Sequence, residues 1–203
     1  MRLYHSIHAP NARRVRMFLA EKGLEIPLVA VDLAKLEQKS DDFSAKNPFQ
    51  SVPTLEFDDG AVICESIAIC RYFEELHPEP ALFGSSARER AEIEMWQRLA
   101  EFQLLFTIAQ TFRHTHPAMR EMEHPQVPDW AAANRGKALV AMRRFDEALS
   151  RRRYLAGDSF SVADITGLIA LDFAKFARIA IPSEFAHLHR WRDEVAARPS
   201  ASA

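Results

Sequence analysis

Apolar positions change their spacing partway along this chain. Over the first 77 residues, short β-type runs are interleaved with helical stretches, whereas beyond Ser85 nearly every apolar residue recurs at three- or four-residue steps. The pattern predicts an α/β domain over 1–77 and an all-helical domain over 86–203. In the first, Leu3-Tyr4-His5-Ser6 reads as a strand. Pro10 then opens a helix through Val15, Phe18 and Leu19, and Gly23 closes it. A β-branched run from Ile26 to Leu33 completes β-α-β, which favours parallel pairing. Thr54 to Phe57, an Asp58-Asp59-Gly60 turn and Ala61 to Ile63 make a hairpin. A helix from about Ser66 to His77 follows, with Ile67, Ile69, Cys70, Phe73 and Leu76 on its apolar side.

His77-Pro78-Glu79-Pro80 ends that helix and begins a linker. A long helix is expected from about Ala87 to Arg113, on the stripe Met95, Leu99, Phe102, Phe106 and Ala109. Pro117, Pro125 and Pro128 break the next stretch, and a helix resumes from Asp129 to Leu149. Ser161-Val162-Ala163-Asp164 resembles a capping box with Asp in the usual Glu place. A last helix starts near Glu184.

Composition narrows the class. The chain is 48% hydrophobic and 27% charged with net charge -2, an ordinary globular balance that offers no bulk attraction to nucleic acid. No stretch approaches the roughly 20 apolar residues of a membrane span, and the first residues do not read as a signal peptide, so a cytoplasmic location is expected. Two cysteines, Cys64 and Cys70, sit in one apolar segment and read as reduced thiols. His114, His116 and His124 lack the acid or Cys partners of a metal set, so no metal is expected. Arg151-Arg152-Arg153 reads as a solvated charge run.

Three short signals carry chemistry. Val52-Pro53-Thr54 places a proline directly before a strand; a cis bond there points the Val52 amide and carbonyl into a cleft, ready for an extended peptide, and a trans bond marks only a strand start. Glu65-Ser66 lies at a helix start, where free amides and a hydroxyl favour a carboxylate and Glu65 can meet an amine; the alternative is a simple cap with a solvated acid. The turn Ser6-Ile7-His8-Ala9-Pro10-Asn11 would put a bound thiolate at the positive end of the first helix. Lowering a thiol pKa by two units requires about 2.7 kcal/mol. A helix end contributes about 0.3 to 2 kcal/mol, so a donor such as Asn11, His8 or Ser6 is also needed.

These residues, in order, resemble a known family. Ala9 to Arg16, Leu19 to Gly23, Asn47 to Leu55, Glu65 to Ile69, Tyr154 to Gly157 and Ser161 to Ile165 are similar to bacterial cytosolic glutathione transferases over nearly the whole chain. The resemblance implies a thioredoxin-like first domain, a helical second domain, glutathione as co-substrate and a homodimer. It implies that Val52, beside Pro53, pairs through its backbone with the cysteinyl part, that Glu65 and Ser66 hold the γ-glutamyl end, and that Gln38 or Lys39 meets the glycine end. Ala9 stands where many relatives carry the Ser, Thr or Cys that contacts the sulfur. A cysteine-dependent mechanism at this position is thereby excluded, and Asn11 ranks first as sulfur contact, then the backbone amides of the turn, then His8 and Ser6. Phe102 and Phe106 line either a pocket for the electrophile or peroxide, or a packed surface. Ala9 also motivates an alternative: a glutathione- or partner-binding protein with little catalysis.

Overall fold

The structure, a computed structural model, describes residues 1–203 and contains two compact units, 1–81 with 202–203, and 82–201. In the first unit, β1 (Arg2–His5), α1 (Pro10–Glu21) and β2 (Leu28–Ala30) form the expected β-α-β, with β1 and β2 parallel. The strand expected over 26–33 is shorter, although the Pro27 carbonyl and the Val31 amide still bond Leu3 N and His5 O at its two ends. A short helix, α2 (Asp41–Lys46), follows. β3 (Thr54–Glu56) and β4 (Val62–Cys64) then pair antiparallel around Gly60, which sits at φ 85°. The sheet order is β2-β1-β3-β4, and α3 (Ser66–Leu76) closes the unit. Leu76 is exposed rather than on the buried face of α3.

Strand alternation divides β1 between two layers. Tyr4 packs edge-on against Phe43 of α2, in a cluster with Val31 and Val52, while Leu3 and His5 face the opposite side. On the Tyr4 side the register sets Arg2 opposite Glu56. Glu56 accepts from Arg2 Nε (2.6 Å), Tyr4 Oη (2.8 Å) and Lys46 Nζ (2.8 Å). At the C-terminal end of α1 the buried Lys22 ammonium meets Glu74 and donates to the carbonyls of His77 and Pro80, tying α1 to the end of α3.

The second unit contains α4 (Ala87–Leu99), a π-helical segment over Ala100–Leu105, α5 (Phe106–Arg113), α6 (Pro128–Leu149), α7 (Val162–Ala174) and α8 (Ala186–Ala196). Helix α7 is the core: Val162 to Leu171 are all buried. Its capping box forms, and Asp164 accepts from Leu155 N, Ser161 N, Ser161 Oγ and Trp191 Nε1. Burial pushes its carboxyl up to about 6 against those four donors. Gly167 lets the Trp191 ring approach, since a Cβ there would lie 2.8 Å from it. The stripe Met95, Leu99, Phe102 and Phe106 is not the core face. These residues are 49, 36, 51 and 46% exposed, and the buried positions are Ile93, Gln97, Ala100, Leu104 and Ile108. Of the three arginines Arg151 is exposed, as a solvated run would be, but Arg152 stacks over Trp96 and Arg153 pairs with Glu194.

Hydrogen bonds from Arg2, Lys46 and Tyr4 hold the Glu56 carboxyl down at about 2, against 4.5 for a free Glu. The folded form therefore releases its proton more readily than the unfolded chain, so the stabilisation is complete above about pH 4.5 and disappears as pH falls towards 2. Urea midpoints measured across this range should fall less steeply in Glu56→Gln than in the unaltered protein; parallel curves would contradict the assignment.

Candidate glutathione-binding site

Three loop tips of the first unit carry the candidate residues. The first is the β1–α1 turn. Helix α1 begins at Pro10, and its N-cap is Ala9, which offers no side-chain acceptor; no acid occupies the first turn. Pro10 has no amide, the amide of Arg13 bonds Ala9 O, and those of Asn11 and Ala12 therefore remain without a cap. Alanine is among the poorest N-cap residues, so the local sequence leaves this helix end open to an outside acceptor. Asn11 and His8 are exposed and Ser6 is half-buried. The Tyr4 hydroxyl, nearby in sequence, is bonded to Glu56 and is unavailable to a sulfur.

The second tip is Asn47 to Pro53. The Val52–Pro53 bond is cis, as the strand-initial proline allows. Asn47, fully buried, scaffolds the segment: its side-chain amide donates to Ser51 O (2.9 Å) and Thr54 Oγ1 (3.0 Å), and its carbonyl accepts from Phe49 N (3.0 Å). Neither backbone polar group of Val52 is engaged by another backbone group. An extended peptide laid beside it finds both a donor and an acceptor.

The third tip is the β4–α3 junction. Glu65 is the N-cap of α3 with φ 67° and ψ 118°, a conformation that costs a non-glycine residue on the order of 1 kcal/mol or more. Its side chain is exposed and takes no part in capping. Ser66 is the first helical residue rather than the cap. Arg14 Nη1 donates to Ser66 Oγ at 2.7 Å, so the hydroxyl is an acceptor towards α1 and keeps its own hydrogen to donate elsewhere. Gln38 is buried at 4% exposure, in a 3-10 turn over Glu37–Lys39, while Lys39 beside it is exposed.

Sequence reasoning passed over Asn47, Arg14 and Arg16. Their signal was available: Arg14 and Arg16 stand among Ala12, Val15, Met17 and Phe18, and an arginine buried on an apolar helix face must meet acceptors. Two of the three clustered histidines, His114 and His116, have local partners. His114 Nδ1 accepts from Val127 N, and His116 stacks on Phe112.

The comparisons with known proteins agree with this arrangement. The family model described as "Glutathione S-transferase, N-terminal domain" matches residues 8–76, and "Glutathione S-transferase, C-terminal domain" matches residues 104–199. The chain belongs to the glutathione S-transferase family. It is 39% identical to glutathione S-transferase 2 of Saccharomyces cerevisiae over 98% of this chain and 87% of that one. Among solved structures, a glutathione S-transferase domain-containing protein of Marinobacter aquaeolei superposes with a TM-score of 0.95 at 41% identity, covering 98% of this chain and 99% of that one. Gtt2 of Saccharomyces cerevisiae also gives 0.95, at 38% identity, covering 100% and 99%.

The backbone at Glu65 yields a direct test. Glu65→Gly removes the side-chain clash at positive φ and should raise the unfolding free energy by about 1 kcal/mol, read from denaturant midpoints. A loss of stability would show that the Glu65 side chain holds the unliganded fold.

Proposed function

We propose that the protein binds reduced glutathione along the three tips of its first unit, stabilises the thiolate and transfers it to an electrophile or reduces a peroxide. The observation that carries this reading is the open amino end of α1, left uncapped by Ala9 and followed in the chain by a free Val52 backbone and the Glu65-Ser66 junction. Val52 pairs with the cysteinyl unit. Ser66 and the amides of α3 take the γ-glutamyl carboxylate, and Glu65 takes its ammonium. Lys39, outward-facing where Gln38 is buried, is the group an approaching glycine carboxylate meets. The sulfur then lies at the β1–α1 turn with Asn11, His8 and Ser6 as side-chain donors.

In conjugation the thiol loses its proton to solvent, sulfur forms a bond to the electrophilic carbon, and the leaving group departs with the bonding pair. The site contributes orientation and stabilisation of the thiolate. A cytoplasmic location fits the free thiols of Cys64 and Cys70, and no helix is long and apolar enough to cross a membrane.

The exposed stripe Met95, Leu99, Phe102 and Phe106 supports a homodimer. Four large apolar side chains in succession along one helical face form the kind of patch that a second copy covers. A pocket for an apolar second substrate is the other reading of Phe102 and Phe106.

Calorimetry with glutathione, run beside turnover of several electrophiles and a peroxide, tests the enzyme. Binding with turnover is expected; binding without turnover on any of them would turn the reading to a glutathione-binding protein, and no binding would remove it. Sedimentation tests the dimer: Phe102→Glu should shift a dimer to a monomer, whereas an unaltered dimer would return Phe102 to the pocket.

A further inference from the structure

Ala9 removes the side chain that would reach a sulfur from the N-cap, so another part of the turn has to supply donors. Arg16, on the second turn of α1 and 8% exposed, reaches back beneath this turn. Its Nη1 lies 3.1 Å from His5 Nδ1 and 3.4 Å from Ser6 O, and its Nη2 donates to Ile7 O at 3.1 Å. A guanidinium only donates, so His5 Nδ1 is the acceptor and His5 is the neutral tautomer with its hydrogen on Nε2. Burial, and next Arg16 itself, lower the His5 pKa and favour this neutral form. Arg13 is the other charged group acting on Arg16. One side chain thereby grips three consecutive residues at the end of β1.

The consequence is directional. The only cis bonds in the chain precede Pro53, Pro80 and Pro125, so the Ser6–Ile7 and Ile7–His8 peptides are trans. A trans peptide carries its carbonyl and its amide on opposite edges. Fixing Ser6 O and Ile7 O on Arg16 turns the amides of Ile7 and His8 away from the guanidinium. Neither amide donates to a backbone acceptor, and both residues are exposed. Two successive N–H groups turned to one side form a small anion-receptive concavity.

We infer that Arg16 is a positioning residue for the reaction, setting the Ile7 and His8 amides as the donors that hold the glutathione thiolate in place of the side chain Ala9 lacks. This rests on the proposed location of the sulfur at the β1–α1 turn. Arg16 makes no contact with the tripeptide; it acts through the two peptide units. Without it Ser6 O keeps only the Ala9 amide (3.2 Å) and Ile7 O loses the guanidinium, so the Ile7–His8 unit is the freer to rotate, and a carbonyl oxygen turned towards the sulfur would oppose the thiolate.

The test separates thiol ionisation from binding. Arg16→Met and Arg16→Lys are compared with the unaltered protein by the ultraviolet absorbance of bound thiolate against pH, by calorimetry with S-methylglutathione, whose sulfur carries no proton, and by thermal melting. In Arg16→Met the pKa of bound glutathione should rise by about one unit, with kcat/KM near neutral pH falling about tenfold while S-methylglutathione affinity changes less than about twofold. Arg16→Lys keeps the charge but cannot reach all three acceptors, and should show a smaller rise. If Arg16→Met does not fold, the lysine variant decides. An unchanged thiol pKa in a folded variant overturns the role of Arg16. Failure of the unaltered protein to bind S-methylglutathione, or to lower the glutathione pKa, overturns the location of the site and the inference with it.

Discussion

A helix that begins on alanine and proline has amide groups at its amino end that nothing in the chain satisfies, and the proposed site depends on that vacancy. Ala9 offers no acceptor and Pro10 no donor, so the positive end of α1 faces outward. A cap such as Ser or Asp would stabilise the helix by about 1 kcal/mol and also occupy those amides. The chain forgoes that stabilisation here, although it caps other helices fully: Ser86 with Glu89 opens α4, and Ser161 with Asp164 opens α7. α3 and α6 also start without a capping side chain, so what sets α1 apart is the place of its open end, at the β1–α1 turn where the sulfur is proposed to lie.

The surrounding structure keeps this opening in register. Arg14 reaches from α1 to Ser66 on α3, Arg16 grips the turn after β1, and Asn47 fixes the segment that presents Val52. Each is a buried polar side chain bonded to a loop or to the first residue of a helix. Such groups cost free energy unless their partners are met, so each loop has one favoured position. Tyr4, Arg2 and Lys46 converge on Glu56 at the opposite layer of the sheet and brace β1 against β3 and α2. Glu65 completes the frame with a strained backbone that the hairpin before it and the helix after it enforce.

Much of this was legible in the residues. The period change after Ser85, the Pro10 start and Gly23 stop of α1, the Asp-Gly hairpin and the Ser161 capping box each rest on local chemistry that a sequence carries openly. The buried face of α4 and α5 was not legible. Met95 and Leu99 in α4, Phe102 in the π-helical segment and Phe106 in α5 look like a core stripe at regular helical spacing, yet all four lie outside, while Ile93, Gln97, Ala100, Leu104 and Ile108 turn inward. Apolar character says that a side chain seeks cover, not that its own chain provides it. The burial of Gln38 was likewise not legible: its place in a 3-10 turn, which alternation rules do not describe, sends it inward and leaves Lys39 outside. Asn47 was missed because a buried asparagine bonding three loop groups has no periodic signature at all.

The structure of the protein crystallised with reduced glutathione tests the central claim most directly. The account predicts the tripeptide extended beside Val52, its γ-glutamyl head on Glu65 and Ser66, and its sulfur within hydrogen-bond distance of the turn between His5 and Ala12. A tripeptide bound elsewhere, or one held at the same tips with its sulfur directed away from that turn, would contradict it.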